Sequence, residues 1–287
     1  MIRIVATWII AILALWPSFA LAAIIGPTND WRPLRQGAHA LGVSDAMVER
    51  ILAAGVEMTC PGTVYRNGGA LNGWFLGGDS SSFYTNAHGV IDVGADRRSN
   101  FIEPLDRCRV HSYRDLAARG ASATSYGIEV PQDRTRLALA TFRPQAAAPS
   151  QDRARLRIAG AIAGARALAV PNVGGLGLRV GQELILVSVQ PPGMHTPQIE
   201  ACHIQAIRSD QLFSDCDNGF GNSAGLYFVR DRADPSMLVP VALHEGCYER
   251  LGNYKGWNLT ANTAMGIMLR GSFFSFPGRS VARVSRD

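Results

Sequence analysis

The sequence has no run of basic residues, although its formal net charge is +5. The basic residues are mostly Arg and are scattered, so nothing tracks a phosphate backbone and no nucleic-acid partner is expected. No two of the five cysteines stand at the close CxxC spacing of a zinc site, so no structural metal is expected. No apolar run beyond the first residues reads as a membrane span. There is no internal repeat and no long helical pattern. Charged residues make up 18% against 47% hydrophobic, an ordinary globular balance over 287 residues. That length supports one large core or two small ones.

The first residues stand apart. Met1-Ile-Arg3 precedes an apolar run from Ile4 to Leu15 and then Trp16-Pro-Ser-Phe-Ala-Leu-Ala22. A short positive end, an apolar stretch that Pro17 cuts short, and Ala20-Leu21-Ala22 describe a secretory signal peptide over 1–22. Cleavage is expected after Ala22, with Ala23 as the alternative. The mature chain is then secreted or periplasmic, with no membrane contact. Cysteines suit that oxidising setting. Cys202 and Cys216 flank two short runs that fold back at Ser209-Asp210, which brings them together across a hairpin. A closed loop of this size contributes roughly 3 kcal/mol in the chain-entropy account. Cys60 with Cys108 is the next pair, by elimination, and Cys247 is left over.

Residues 23–55 form either a packed N-terminal arm or a pro-segment, with a short helix over 44–54 ended by Gly55. From Thr59 onward, short apolar runs alternate with Gly, Asn, Asp and Ser clusters, the texture of many short antiparallel strands. The expected strands are Gly62–Tyr65, Gly73–Leu76, Phe83–Ala87, Arg109–Tyr113 and Arg136–Phe142, then Ala167–Val170, Glu183–Val189, Ala201–Ile207, Leu226–Val229, Leu238–His244 and Ala264–Leu269. Residues 144–155, rich in Pro, Ala and Gln, read as a linker between a first β unit over 56–143 and a second over 156–287. The fold class is all-β, as two barrels or sandwiches.

Two segments carry chemistry. Tyr84-Thr-Asn-Ala-His-Gly-Val-Ile-Asp92 places His88 on an apolar stretch. Asp217-Asn-Gly-Phe-Gly-Asn-Ser-Ala-Gly225 places Ser223 in a glycine cage. A serine hydroxyl needs an imidazole to take its proton, and glycines let backbone N–H groups crowd a developing oxyanion. Gly-x-Ser-x-Gly alone also occurs in α/β-hydrolases, but there a helix follows the serine and the serine precedes its histidine. Here the strand-like Leu226-Tyr-Phe-Val follows, and His88 comes first.

Thr85-Asn-Ala-His88 and Gly221-Asn-Ser-Ala-Gly225 resemble the Thr-Ala-Ala-His and Gly-Asp/Asn-Ser-Gly-Gly segments of the trypsin-like serine peptidases, in particular the bacterial glutamyl-endopeptidase-like branch. The resemblance spans roughly residues 56–270. It implies two antiparallel β-barrels, here with a short N-terminal helical arm, and a cleft between them. It also implies that Ser223 is the nucleophile, that His88 is the base, and that the N–H groups of Gly221 and Ser223 form the oxyanion hole. The substrate is then a polypeptide, with no cofactor; nothing in the sequence specifies an oligomer. Gly89 stands where many relatives carry a cysteine. Asn222 stands where trypsin carries the Asp that pairs with a freed N-terminus, so Ile24-Ile25-Gly26 is not expected to act as an inserted N-terminus.

The acid is less regular. The family's Asp-x-Ala-Leu appears as Arg136-Leu-Ala-Leu-Ala140, with Arg in the Asp place. Asp133, three residues earlier, is the candidate acid, with a surface Asp as the alternative reading. Two residues compete for the substrate pocket. Asp217 holds the position of trypsin's pocket aspartate, which favours basic side chains; His244 matches the pocket histidine of the glutamyl endopeptidases, which favours acidic ones. Glu245, Gly246 and Cys247 would line the bound substrate strand. The rival to a peptidase is an impaired homologue that binds peptide or protein, favoured by Arg136.

Overall fold

Strand β9 (Ala154–Ala159) shows how this chain makes a barrel wall: Ala154, Leu156 and Ile158 are buried while Arg155 and Arg157 face water. Alternation at a period of two puts one face on a core and the other in solvent. The computed structural model describes residues 24–25, 27–60, 69–93, 99–101, 105–129, 152–189, 195–219, 221–249 and 255–274. Within them the N-terminal elements are β1 (Arg32–Pro33), α1 (Leu34–Ala40) and α2 (Asp45–Ala54). The first barrel uses β2 (Gly55–Cys60), β3 (Gly69–Trp74), β4 (Ser82–Thr85), β7 (Arg109–Ser112), β8 (Gly127–Ile128) and β9, while β5 (Ile91–Val93) and β6 (Ser99–Phe101) form a separate hairpin. Helix α3 (Tyr113–Arg119) follows β7 directly. The second barrel uses β10 (Glu183–Val189), β11 (Pro197–Arg208), β12 (Gln211–Ser214), β13 (Leu226–Arg230), β14 (Leu238–Glu249) and β15 (Asn262–Met268), and the short helix α4 (Gly271–Phe274) follows.

Among the described residues every pairing between strands is antiparallel, and the two large sheets each close on themselves. The first runs β7-β2-β3-β4-β9-β8 and is shut where Val110 of β7 and Tyr126, beside β8, exchange two backbone hydrogen bonds of 2.9 Å. The second runs β11-β10-β13-β14-β15-β12, and β12 pairs back onto the far half of β11. Closure leaves no unpaired edge within either barrel. The fold is therefore the expected pair of antiparallel barrels.

Some boundaries differ from the sequence reading. β9 pairs with β4 and β8, so the first barrel extends through Ala159, beyond the segment taken as a linker. Residues 167–170 form no strand; only Leu168 bridges to Leu76. Helix α3 went unpredicted. It is seven residues long, capped by the Ser112 hydroxyl on the Asp115 N–H, too short to show a periodic pattern. The expected strands Gly62–Tyr65 and Arg136–Phe142 and the signal peptide lie outside the described residues.

The N-terminal arm is packed, and its helix runs straight into β2. Ser44 caps α2 by accepting from the Met47 N–H, and Gly55 follows its last residue, as the sequence suggests. Met47, Val48, Ile51 and Leu52 are buried in the same core as β10 and β13. Each such side chain contributes about 1.5–3 kcal/mol. β1 adds to β11, and α1 crosses that strand so closely that a Cβ at Gly37 would lie 2.4 Å from the Ile199 side chain.

Two cysteine pairs stand at disulfide distance. Cys202 and Cys216 face each other across the β11–β12 hairpin, with Cα atoms 5.0 Å apart, and Cys60 faces Cys108. Ser209 opens the turn of that hairpin in a left-handed conformation (φ 51°).

Candidate active site

His88 follows β4 on a single 3₁₀ turn, Ala87–Gly89. Its neighbours hold that turn from three sides. Thr85 donates its hydroxyl to the Asn72 carbonyl at 2.7 Å, and the Asn86 amide donates to the Asp152 carbonyl at 3.0 Å. A side chain at Gly89 would put its Cβ 2.0 Å from Leu71 Cδ1, so Leu71 fills the room that a cysteine there would need.

Asp152 is the carboxylate on His88. Its Oδ2 accepts from His88 Nδ1 at 2.6 Å and its Oδ1 accepts from the His88 backbone N–H at 2.9 Å. A carboxylate can only accept, so Nδ1 carries the proton and Nε2 is left as acceptor. Ser223 Oγ stands 2.9 Å from that Nε2. Burial pulls the imidazole pKa down, but the Asp152 charge and hydrogen bond outweigh it, and His88 ends above the usual histidine value. The structure thus brings His88 and Ser223 together. The place for which Asp133 is the sequence candidate is held by Asp152, whose side chain is fully buried. Asp133 and Arg136 lie outside the described residues. A signal for Asp152 was present: Asp152-Arg-Ala-Arg-Leu156 is the Asp-x-Ala-Leu segment with one residue added. It was hidden inside the stretch read as a linker.

Ser223 sits in a turn built by backbone. Gly221 has φ 98° and Ala224 has φ 59°, both in the left-handed region, where an alanine costs about 1–2 kcal/mol. The Gly225 N–H donates to the Asn222 carbonyl at 2.7 Å, and Ala224 and Gly225 exchange hydrogen bonds with His244 of β14. Among the described residues, the N–H groups of Gly221 and Ser223 donate to nothing, which leaves two donors beside the Ser223 hydroxyl. Asn222 is buried and accepts from the Ser188 hydroxyl at 3.0 Å. The Ile25 N–H goes to Asp217 Oδ1 at 2.8 Å rather than to Asn222.

The two pocket candidates have different surroundings. Asp217 is turned to the N-terminal arm, where it accepts from the Ile25 N–H and, at 3.2 Å, from the Asp30 N–H. It lines a cavity of about 490 Å³ with Ile25, Asp30, Glu200, Asp215 and Trp257, and neither His88 nor Ser223 borders that cavity. His244 is buried beside the Ser223 turn. Its Nδ1 accepts from the Tyr227 hydroxyl at 2.7 Å and its Nε2 donates to Asn218 Oδ1 at 3.0 Å. Burial, with a smaller push from the His88 charge, lowers its pKa to about 3, so it is neutral. Asn218 was not singled out in the sequence. Glu245 sits at a bulge in β14, buried, accepting from the Gln211 amide at 3.2 Å. Burial first, and the Asp152 charge second, push its pKa up to about 8. Gly246 follows it opposite Met265, and Cys247 is not disulfide-bonded among the described residues. Those residues also contain no group of three or more His, Cys, Asp or Glu arranged to hold a metal.

No protein-family profile matches the sequence, and no curated protein matches it. Solved structures do match the fold. A Glu endopeptidase in complex with MPD aligns at a TM-score of 0.54 and 14% identity, covering 88% of this chain and 97% of that one. A thermostable serine protease from an extremophilic microorganism aligns at a TM-score of 0.48 and 11% identity, over 77% of this chain and 92% of that one. Closed antiparallel barrels in tandem, with a serine, a histidine and an aspartate meeting between them, give this chain the trypsin-like, chymotrypsin-type fold of a serine peptidase.

Proposed function

We propose that the protein is a secreted or periplasmic serine endopeptidase. The observation that carries this is the continuous hydrogen-bonded line from Ser223 Oγ through His88 to Asp152. Ser223 Oγ attacks the peptide carbonyl while His88 Nε2 takes its proton. The N–H groups of Gly221 and Ser223 receive the oxyanion. His88 then gives the proton to the leaving amine, and water, deprotonated by the same imidazole, releases the acyl group from Ser223. Asp152 fixes the imidazole tautomer and stabilises its charge. The impaired-homologue reading rested on a missing acid, and Asp152 removes that support.

Substrate lies along β14 at Glu245 and Gly246. A preference for acidic over basic side chains rests on the place of His244 beside the Ser223 turn, since the arm occupies Asp217; both His244 nitrogens are engaged, by Tyr227 and Asn218, in this structure. Export is supported by the signal-like first residues and by the two cysteine pairs. Among the described residues no helix is long and apolar enough to cross a membrane.

The test is fluorophosphonate labelling of purified protein, followed by peptide-library cleavage. Wild type should label at Ser223 and cleave, and Ser223→Ala and His88→Ala should each lose nearly all activity, because the residues act as a unit. A Ser223→Ala protein that keeps wild-type peptidase activity ends this reading.

A further inference from the structure

We infer that Asn72 is a positioning residue for the oxyanion turn, reaching from the first barrel to set the backbone of the second. The inference rests on the peptidase reading above. Asn72 lies on β3 and is fully buried. Its Nδ2 donates to the Gly221 carbonyl at 2.7 Å and to the Ser223 carbonyl at 2.9 Å. Its backbone N–H donates to the same Ser223 carbonyl at 2.9 Å. Its Oδ1 accepts from the Val189 N–H at 2.7 Å and from the Tyr113 hydroxyl.

The amide therefore uses both donor hydrogens and both acceptor lone pairs, its full capacity. Its orientation is fixed by chemistry. Val189 N–H can only donate, so the oxygen faces it; the two carbonyls can only accept, so the nitrogen faces them. The carbonyls it holds belong to the two residues whose N–H groups are left unengaged at the nucleophile. Residues 221–225 contain two left-handed conformations, so this turn needs outside support to keep one arrangement. With Gly221 and Ser223 tethered by their carbonyls, and the intervening peptide held by Gly225, the Ser223 N–H cannot rotate away. Trp74, two residues along β3, adds a further bond from its indole to the Ala224 carbonyl at 2.8 Å.

The experiment compares wild type with Asn72→Asp. The carboxylate keeps the oxygen for Val189 and Tyr113 but sets a second oxygen against the two carbonyls. Active sites are counted by fluorophosphonate titration, so that misfolded protein does not enter kcat. The expected result is a kcat lower by about 10–100-fold, less than the ~10²–10³ lost when an oxyanion donor is removed outright, with KM unchanged. A peptide boronate, whose tetrahedral adduct places an oxygen at these donors, should lose affinity by the same factor. The pH midpoint of kcat/KM is read in Tyr113→Phe, which brings no new charge near His88, and it should not move there. Wild-type kcat or a change confined to KM in Asn72→Asp, or a shifted midpoint in Tyr113→Phe, would each overturn the inference. If Asn72→Asp does not fold, Tyr113→Phe must show the same kcat-only loss at a few-fold level, and an unchanged kcat there overturns the inference equally. If wild type neither cleaves nor labels, the peptidase reading fails. Hydrogen exchange at residues 221–225 then decides on the clamp alone: faster exchange in Asn72→Asp supports it and equal exchange overturns it.

Discussion

Asp152 holds His88 at two points, the ring nitrogen Nδ1 and the backbone N–H, with one carboxylate oxygen on each. The double contact fixes both the tautomer of the ring and the position of the turn that carries it. Replacing the carboxylate by an amide should therefore harm the imidazole more than the fold. Asp152→Asn is expected to lower kcat by about 10⁴, a figure taken from the trypsin-like peptidases themselves. Asp133→Asn should leave kcat near wild type. Steady-state kinetics of the two variants, side by side, decides between the two acids.

On the peptidase reading, the raised pKa of His88 should set the acid limb of activity. The base must be neutral, so kcat/KM should fall as pH drops through a midpoint above the usual histidine value near 6.5. A midpoint at or below that value, measured on a small ester or peptide substrate, would contradict the Asp152 contact.

Glu245 should make the protein less stable as pH rises. Its folded pKa of about 8 lies above the ordinary carboxylate value of 4.5, so the folded state holds a proton that the unfolded state has released between those values. This contribution is full below pH 4.5 and is lost as pH climbs to about 8. Glu245→Gln keeps an acceptor for Gln211 and has no proton to lose. Thermal melts across that window should show a smaller decline for the variant than for wild type.

Gly89→Ala should be destabilising by about 1–3 kcal/mol, the usual penalty for overpacking. The added methyl meets Leu71 at 2.0 Å, and Leu71 is itself buried. Leu71→Ala should restore room, so the double variant should lose less than the two single losses added together. A double-mutant cycle by urea unfolding measures that coupling.

Much of this arrangement is legible in the sequence because its signals are local. Short continuous apolar runs mark β10 and β13, Ser44 and Gly55 bracket α2, and the cysteine hairpin is marked by a turn between two apolar runs. His88 and Ser223 stand in short segments whose chemistry is readable one residue at a time. The acid is different. A carboxylate becomes the orienting group only by where the barrel carries it, and Asp152 sits just before a strand whose two arginines mask its apolar face. Asp217 shows the converse. Its spacing from Ser223 is that of a pocket residue, but the arm, distant in sequence, captures its oxygens. Asn72 carries no motif at all, since its four partners come from three remote segments.

The arm has a consequence for the order in which the molecule assembles. A chain that emerges from its N-terminus first presents α1 and α2 long before β10 and β11 exist to cover them, and the Ile25–Asp217 bond joins residues 192 positions apart. His88 and Ser223 are similarly dispersed, 135 positions apart. Contacts this distant form slowly and late. On the peptidase reading, the serine and its base therefore meet only when the last strands of the second barrel close, so a growing or half-folded chain has no means of cutting its neighbours.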